Sequence, residues 1–191
     1  VILKSDLGTL DNITITNSNP RSDDGRGTEI ITFAGDIQNI YVHDCYFEDN
    51  QAINLNFLGS YPHLSKKQPR NICVEDCIFV GAYLYRNGVY SVTTCLYFDR
   101  GTGPARIKNC LMYSQDTQAI GVKLNWEQGV GAALELPNEK VIVRDCVMIS
   151  ERWATQVGQN PDVPSTSYRP LESATFAHNV MLTAQGGANG A

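Results

Sequence analysis

The apolar and polar positions of this chain repeat a short pattern that ends in Asp-Cys or Asn-Cys. Each copy alternates apolar and variable residues, reaches Asp or Asn, and then places Cys before a variable and an apolar residue. The four cysteine-containing copies span 39–47, 71–79, 105–112 and 141–148, with a cysteine-free relative at 12–18 and a degraded copy at 176–181. The cysteines stand at 45, 77, 110 and 146, so successive copies lie 32, 33 and 36 residues apart. Repeats at this spacing predict a stacked repeat architecture.

The alternation before each Asp or Asn predicts a strand with one buried face. Val42 and Cys45 are three residues apart, so both can face inward only if the chain bends between them. Asp and Asn tolerate the left-handed conformation that such a bend requires. Each repeat is therefore predicted to have a first strand, a corner and a short second strand. The predicted corners are Asp44, Asp76, Asn109 and Asp145, and the predicted inward stack is Cys45, Cys77, Cys110 and Cys146.

A third alternating stretch completes each repeat after a polar loop. These third strands are predicted at 31–33, 52–57, 94–99 and 120–124, the first of them closed by Gly35-Asp36. Three short strands per turn predict an all-β, right-handed parallel β-helix (solenoid) with about five to six coils. We expect the coils within residues 1–150, after a lead-in at 1–10, and an irregular segment with one weak strand, packed on the β-helix, at 151–191. A β-propeller is the alternative, but its hairpins favour glycine-rich two-residue turns, which Asp-Cys does not supply.

The composition is that of an ordinary folded protein, with 42% hydrophobic and 18% charged residues among 191. The formal net charge of −5 and the lack of a basic stripe argue against nucleic acid as a partner. No stretch approaches the roughly 18 apolar residues of a membrane-spanning helix, so we expect no membrane span. The sequence begins with Val1, and we expect a processed chain or a piece of a longer one.

The six cysteines allow three interpretations. Disulfides are one, and a metal site built on Cys73-x-x-x-Cys77 is another. A ladder of free thiols is favoured, because four cysteines share one inward position, where a thiol acts as a small apolar filler. Cys73 has the outward parity of its strand, so it should point away from Cys77, and no second pair of ligands accompanies the two.

The outward residues of the third strands carry the candidate binding chemistry. Alignment of the inward residues stacks the outward ones in three rows, Thr32-Asn54-Cys95-Gly121, Ala34-Asn56-Tyr97-Lys123 and Leu58-Asp99-Asn125. Neighbouring excursions add Arg100, Trp126 and Glu127. Amides, an acid, a base and aromatic rings suit a sugar-binding groove, because they bond hydroxyl groups and stack on apolar ring faces. The predicted substrate-binding residues are Asn54, Asn56, Tyr97, Asn125 and Trp126.

The corner, the three strands and the stacked inward residues of 10–150 resemble the pectate-lyase-like superfamily. The resemblance implies that the third-strand face forms the substrate cleft. A polysaccharide lyase would use Lys123 or Arg100 as the base, with Asp99 as a ligand of calcium, the candidate cofactor. A glycoside hydrolase would use two carboxylates, for which Asp99 and Glu127 are the candidates. The roles are carried over by position, since the sequence has neither the basic signature of pectate lyases nor the three-aspartate cluster of polygalacturonases.

The leading hypothesis is a carbohydrate-active β-helix that binds and cleaves an extended acidic or cell-surface polysaccharide in a groove on the third-strand face. In this hypothesis it is an extracellular or virion protein, either a secreted microbial enzyme or a tailspike-type protein, and the resemblance to phage spikes implies a homotrimer. The alternative is a non-enzymatic structural solenoid or receptor-binding module of a viral tail or surface assembly. In that case the outward amides are ordinary solvated residues, and Asp99-Arg100 is a turn with a surface ion pair.

Overall fold

The structure is a computed structural model, and it describes residues 2–16, 31–50, 53–58, 69–81, 85–86, 89–90, 94–99, 102–114, 120–126, 139–150, 153–159 and 173–183. Among these residues all regular secondary structure is β-strand, so the predicted all-β class is confirmed for them, and none of them belongs to a helix that could cross a membrane. The strands are β1 (Ile2–Thr16), β2 (Ile31–His43), β3 (Tyr46–Asn50), β4 (Ile53–Leu58), β5 (Arg70–Glu75), β6 (Ile78–Gly81), β7 (Tyr85–Arg86), β8 (Val89–Tyr90), β9 (Thr94–Asp99), β10 (Ala105–Lys108), β11 (Leu111–Ser114), β12 (Ile120–Trp126), β13 (Val141–Arg144), β14 (Val147–Ser150), β15 (Trp153–Gln159), β16 (Ala174–Ala177) and β17 (Val180–Thr183).

The first strands of successive repeats lie side by side and pair in parallel. Their order is β2-β5-β10-β13-β16, with β1 beside β2. The register aligns the equivalent buried residues Val42, Val74, Ile107 and Val143. Each of these side chains is fully buried, so the inward row predicted from the alternation is confirmed.

The second and third strands form two further parallel sets. The second strands make a five-stranded sheet in the order β3-β6-β11-β14-β17, and the third strands run β15-β12-β9-β4-β2. Strand β2 belongs to both the first and the third set, because the chain bends at Gly35 (φ 82°) without leaving the ladder. Strands β7 and β8 are the one antiparallel pair among the described strands. The described pairing is therefore parallel, as predicted, and unlike the antiparallel blades of a propeller.

The corner between the first and second strands has the predicted left-handed backbone. Asp44, Asp76, Asn109 and Asp145 have φ values of 51°, 54°, 52° and 54°. His178, with φ 54°, takes the corner of the last repeat. Asp and Asn suit this position because they enter the left-handed region at lower cost than other residues with a side chain. Asn39 within β2 and Asn71 within β5 share the same backbone conformation, a bend that the alternation did not predict.

The cysteines that follow the corners form the predicted inward ladder. Cys45, Cys77, Cys110 and Cys146 are 1–3% exposed, and all six cysteines of the chain are free thiols. Each ladder thiol donates to the carbonyl oxygen two residues earlier, at Sγ to O distances of 3.1–3.2 Å. Asn179 takes the next place in the ladder, accepting from Cys146 N and donating to Val143 O, both at 2.9 Å. The amide thus bonds two backbone groups of the preceding repeat.

Aromatic side chains fill the interior between the three sets of strands. The rings of Phe33 and Phe57 stack at a centroid distance of 5.2 Å, and those of Phe57 and Phe98 at 4.9 Å. On the second strands, Phe47 and Phe79 stack at 4.8 Å. These distances match the strand spacing of about 4.8 Å, so each ring lies against the equivalent ring of the next repeat. The core is one continuous column of aligned side chains.

Strands extend further than the alternation predicted. Residues 2–10 of the predicted lead-in belong to β1, which pairs with β2. Gly35-Asp36 lies within β2 and does not close it, because the glycine turns the chain while the strand continues. The 151–191 segment, predicted to hold one weak strand, contains β15, β16 and β17. Parallel pairing with the preceding repeat supplies backbone hydrogen bonds to these segments even where their own alternation is weak.

Candidate functional site

The outer face of the third strands aligns the residues that the sequence predicted to bind substrate. Asn56 stands beside Tyr97, and Tyr97 beside Lys123. One position further along the same face, Asp99 stands beside Asn125. Asn56, Tyr97 and Lys123 therefore share one row, and Leu58, Asp99 and Asn125 share another, as predicted. The β2 residues differ from the prediction, because the buried residues of β2 and β4 set a register in which Thr32 pairs with Asn56 and Ala34 with Leu58.

This face is covered at β4 and β9. Asn54 and Asn56 are 1% and 3% exposed, although their parity in β4 is outward, and Cys95 is 1% exposed and belongs to the buried core. Burial raises the pKa of the Cys95 thiol to about 12, against the opposing effect of a hydrogen bond with Asn54. Tyr97 is half-buried. A sugar arriving from solvent does not contact side chains this deeply buried, so the two amides lie beneath the protein surface and not in an open groove.

The other predicted site residues are placed only in part. Strands β9 and β12 include the backbone of Asp99, Lys123, Asn125 and Trp126, whose side chains are not among those described, and Arg100 and Glu127 lie outside the described residues. The separation of the candidate carboxylates Asp99 and Glu127 therefore stays a prediction. Among the described residues, no group of three or more His, Cys, Asp or Glu side chains is arranged to hold a metal ion.

A different groove opens on the outer face of the first strands. It has a volume of about 340 Å³ and crosses β5, β10 and β13 near the points where these strands begin. Its lining includes Asn71, Cys73, Pro104, Arg106, Lys140 and Ile142. The groove therefore combines an amide, a thiol and two cations with apolar side chains, and it takes residues from three successive repeats.

The short turn before β10 fixes one end of this groove. Thr102 is fully buried and its Oγ1 donates to the carbonyl oxygen of Phe57 at 3.1 Å. Gly103 N donates to Pro69 O at 2.7 Å, which ties the start of β10 to the start of β5. A Cβ atom at Gly103 would lie 2.5 Å from Cγ of Arg70 and 2.9 Å from Pro69 O, so only glycine fits this approach.

Two cations of the groove have no ion-pair partner among the described residues. Within the part of the chain that the structure describes, Arg106 and Lys140 form no ion pair or hydrogen bond through their side chains. Arg70, by contrast, is bound to Glu139, with Nη2 and Oε1 2.5 Å apart. Arg106 and Lys108 project from the same face of β10, about 7 Å apart at the strand rise. Lys108 stands beside Glu75 in register, so the positive charge that lines the groove is that of Arg106 and Lys140.

Titratable side chains border the groove on the side of β2. Tyr41 donates through its hydroxyl to Glu75, and this hydrogen bond, with desolvation and the nearby carboxylate charge, raises the pKa of Tyr41 to about 12. The ring of Tyr41 stacks on that of His43 at a centroid distance of 4.2 Å. Burial and the charge of Glu75 raise the pKa of the Cys73 thiol, against the opposing charge of Arg106. Tyr41 is therefore a neutral donor at physiological pH, and Cys73 is a protonated thiol.

The signal for this groove is present in the sequence. Alignment of the first strands by their buried residues gives two outward rows, Tyr41-Cys73-Arg106-Ile142 and His43-Glu75-Lys108-Arg144. These two rows hold seven polar residues, against eight in the three third-strand rows from which the site was predicted. The alternation shows which residues face outward, but the concavity between β5 and β13 depends on the path of the turns, which the alternation does not contain.

No protein-family model, curated protein or solved structure matches this chain. The chemistry of the groove is therefore the basis for assigning a function. Guanidinium and ammonium groups bind carboxylate, sulfate or phosphate through charge-assisted hydrogen bonds. The lining includes no carboxylate, so the groove is suited to bind an anion rather than to transfer a proton by a carboxylic acid.

Proposed function

We propose that this chain is a right-handed parallel β-helix that binds an extended acidic polysaccharide on the outer face of its first strands. The observation that carries the proposal is the groove in which Arg106 and Lys140 have no partner of opposite charge among the described residues. Location outside the cell or in a virion, which such a ligand requires, is part of the same proposal.

The β-helix is favoured by the order in which the strands pair. From β2/β3 to β16/β17, each repeat gives a first and then a second strand, and each strand pairs in parallel with the equivalent strand of the neighbouring repeat. Corners with the same left-handed φ recur at equivalent positions. A chain that advances by one strand spacing per turn produces this pattern, and parallel connections of this kind are right-handed in nearly all known cases. The resemblance to the pectate-lyase-like superfamily agrees with this winding.

The charge of the groove favours an acidic ligand. Each cation would gain a carboxylate partner without first breaking an existing ion pair, and hydrogen bonds to charged groups contribute about 1.5–3 kcal/mol each. Pro104 and Ile142 add apolar surface, which suits the apolar faces of sugar rings. The volume of about 340 Å³ is at the lower end of the range for small-molecule sites. It suits one or two carboxylate-bearing sugars.

The position of the groove favours a polymer over an isolated sugar. The groove crosses three neighbouring strands, and the outward rows of the first strands continue beyond it towards β2 and β16. A polysaccharide lying across the strands meets an equivalent side chain in every repeat. Extended surfaces of stacked repeats commonly serve as binding faces for this reason.

The residues proposed to cleave the polysaccharide differ from those proposed to bind it. The lyase and hydrolase roles of Asp99, Lys123, Arg100 and Glu127 stay predictions for the third-strand face, as does calcium as a cofactor of the lyase. A non-enzymatic receptor-binding module would use the same cationic groove without those roles. The two possibilities share the proposed ligand and differ in turnover.

The test is titration calorimetry with oligogalacturonate as the acidic ligand and its methyl ester as the uncharged control. We expect the acid to bind and the ester to bind at least about tenfold more weakly, since the ester cannot pair with the cations. Arg106→Gln and Lys140→Gln should each weaken binding of the acid by about tenfold or more. Arg144→Gln is the matched control, because Arg144 is exposed on the same face but already lies 3.6 Å from Asp145. Equal affinities for acid and ester, or equal losses in all three variants, would refute the proposal.

Cleavage of the ligand can be measured on the same samples. A rise in the absorbance of unsaturated uronates indicates a lyase, and new reducing ends without that absorbance indicate a hydrolase. Asp99→Ala and Lys123→Ala are expected to abolish either activity while leaving binding at the cationic groove unchanged. Binding without any product would favour the receptor-binding module.

A further inference from the structure

An ion pair lies at the end of the cationic groove where the first strands begin. Arg70, the first residue of β5, directly precedes Asn71 of the groove lining, and Glu139 directly precedes Lys140. Nη2 of Arg70 and Oε1 of Glu139 are 2.5 Å apart, and the two side chains are 46% and 23% exposed. The pair is therefore at the surface, next to residues that the proposed ligand would contact.

This ion pair joins two repeats that are not neighbours. Gly103 N donates to Pro69 O at 2.7 Å, on one side of the turn before β10. On its other side, Glu139 N donates to Thr102 O at 2.8 Å. The side chain of Arg70 therefore crosses a whole repeat, two strand spacings or about 10 Å, to reach Glu139. It passes over Gly103, where a Cβ atom would lie 2.5 Å from Cγ of Arg70, so the missing side chain leaves this path open.

The pairing separates Arg70 from the two cations of the groove. Arg106 and Lys140 form no ion pair with a described residue, whereas the charge of Arg70 is paired with that of Glu139. A ligand carboxylate that approached Arg70 would have to displace the carboxylate of Glu139. One partly exposed ion pair would then replace another of the same kind, and such an exchange adds little to affinity.

Given the acidic ligand of the proposed function, on which this step rests, we propose that Glu139 occupies a third anion subsite, centred on Arg70. By filling this subsite from within the protein, Glu139 limits the affinity of the groove for acidic ligands. It also lets an uncharged sugar lie at this end of the groove without leaving the guanidinium uncompensated. The groove thus requires carboxylates at Arg106 and Lys140 and requires none at Arg70.

The test is titration calorimetry with oligogalacturonate on the full chain and on three variants, Glu139→Gln, Arg70→Gln and the double variant. Glu139→Gln frees the guanidinium and should bind the acid at least about threefold more tightly, the gain from a partly exposed ion pair. Arg70→Gln removes the cation but keeps the negative charge next to Lys140, so it should bind at least about threefold more weakly. The double variant removes both charges and should bind as the unmodified chain does.

Thermal unfolding of the same variants separates a role in binding from a role in stability. Glu139→Gln and Arg70→Gln lose the same ion pair, so each should be destabilised to a similar, small extent. An ion pair that served only the fold would not change the affinity in opposite directions in the two variants.

Asp76→Asn is the matched control. It removes one negative charge, as Glu139→Gln does, but Asp76 follows the other end of β5, and its Oδ1 accepts from Nδ2 of Asn109 and not from a cation. Asparagine takes the same left-handed corner at position 109, so the backbone should be kept. The affinity of this variant for the acid should match that of the unmodified chain.

The proposal and the proposed function fail in different ways. If the unmodified chain binds the acid and a folded Glu139→Gln binds it no more tightly, the subsite at Arg70 is refuted and the proposed function stands. Arg70→Gln is the independent variant if Glu139→Gln does not fold, and an affinity equal to that of the unmodified chain would also refute the subsite. If neither the unmodified chain nor the variants bind the acid, both are refuted.

Discussion

At the corner between the first and second strands, one dihedral angle restricts the choice of residue. Asp76 has φ 54°, and its Oδ1 accepts a hydrogen bond from Nδ2 of Asn109 in the next repeat. The left-handed region costs ordinary residues about 1–2 kcal/mol, and glycine avoids that cost. The corner residue therefore acts through its backbone as well as through its side chain.

Substitution of Asp76 separates these two contributions. Asp76→Ala and Asp76→Gly both remove the hydrogen bond, but only Ala suffers the left-handed strain, so Ala should be less stable than Gly by about 1 kcal/mol. Denaturant unfolding measures the difference. At Thr175, inside β16, the order should reverse, because glycine weakens a strand interior. If Asp76→Ala were at least as stable as Asp76→Gly, the left-handed backbone at this corner would be contradicted.

At the scale of the strands, the alternation predicts inward positions well because it has a single physical cause. A period of two in a strand puts Val42, Val74 and their equivalents on one face, and the corner places the cysteines on the same inner side. The outward positions are different, since whether they meet solvent depends on the rest of the chain. Asn54 and Asn56 have outward parity and are nevertheless buried. The side of the strand on which a residue lies depends on its own strand, whereas its exposure depends on what the rest of the chain packs against it.

Asn54→Ala tests whether the third-strand amides support the fold or bind ligand. Asn54 is 1% exposed and hydrogen-bonds Cys95, so its removal should lower the free energy of unfolding by about 1–3 kcal/mol. Binding of oligogalacturonate should be unchanged, because the amide lies away from the cationic groove. Thermal unfolding and calorimetry on one sample measure both effects. Lost binding with unaltered stability would instead assign Asn54 to a sugar site.

At the scale of the whole molecule, two outer faces differ in chemistry. The outer face of the first strands carries the groove and its cations, whereas outward residues of the second strands such as Ile78 and Leu111 are apolar. The groove takes residues from three successive repeats, so it depends on the stacking of the repeats and not on any one of them.

The sequence alone could not favour the first-strand groove over the third-strand face. Both faces present rows of polar side chains at the same period. The faces differ in two respects. The short turn at Thr102 and Gly103 holds the starts of β5 and β10 together. Arg106 and Lys140 also form no ion pair with any of the described residues. Neither the closeness of two turns nor the pairing of distant charges follows from a repeat pattern.

Protection of Cys73 from an uncharged maleimide is the most direct test of the cationic groove. Cys73 lines the groove and is half-buried, whereas the other five cysteines are buried, so it should be the thiol that reacts in the folded protein. Because burial and the charge of Glu75 raise its pKa, the thiol is protonated at neutral pH and reaction should quicken as the pH increases. A Cys73→Ser variant should lose this reaction and keep five thiols that react only after unfolding.

The decisive comparison is the labelling rate of Cys73 with saturating oligogalacturonate, with its methyl ester, and without ligand. We expect a rate at least several-fold slower with the acid and unchanged with the ester, because the bound acid covers the thiol. Lys140→Gln should restore fast labelling at the same ligand concentration. Unchanged labelling of Cys73 while calorimetry shows the acid bound would place the ligand elsewhere and contradict binding in the cationic groove.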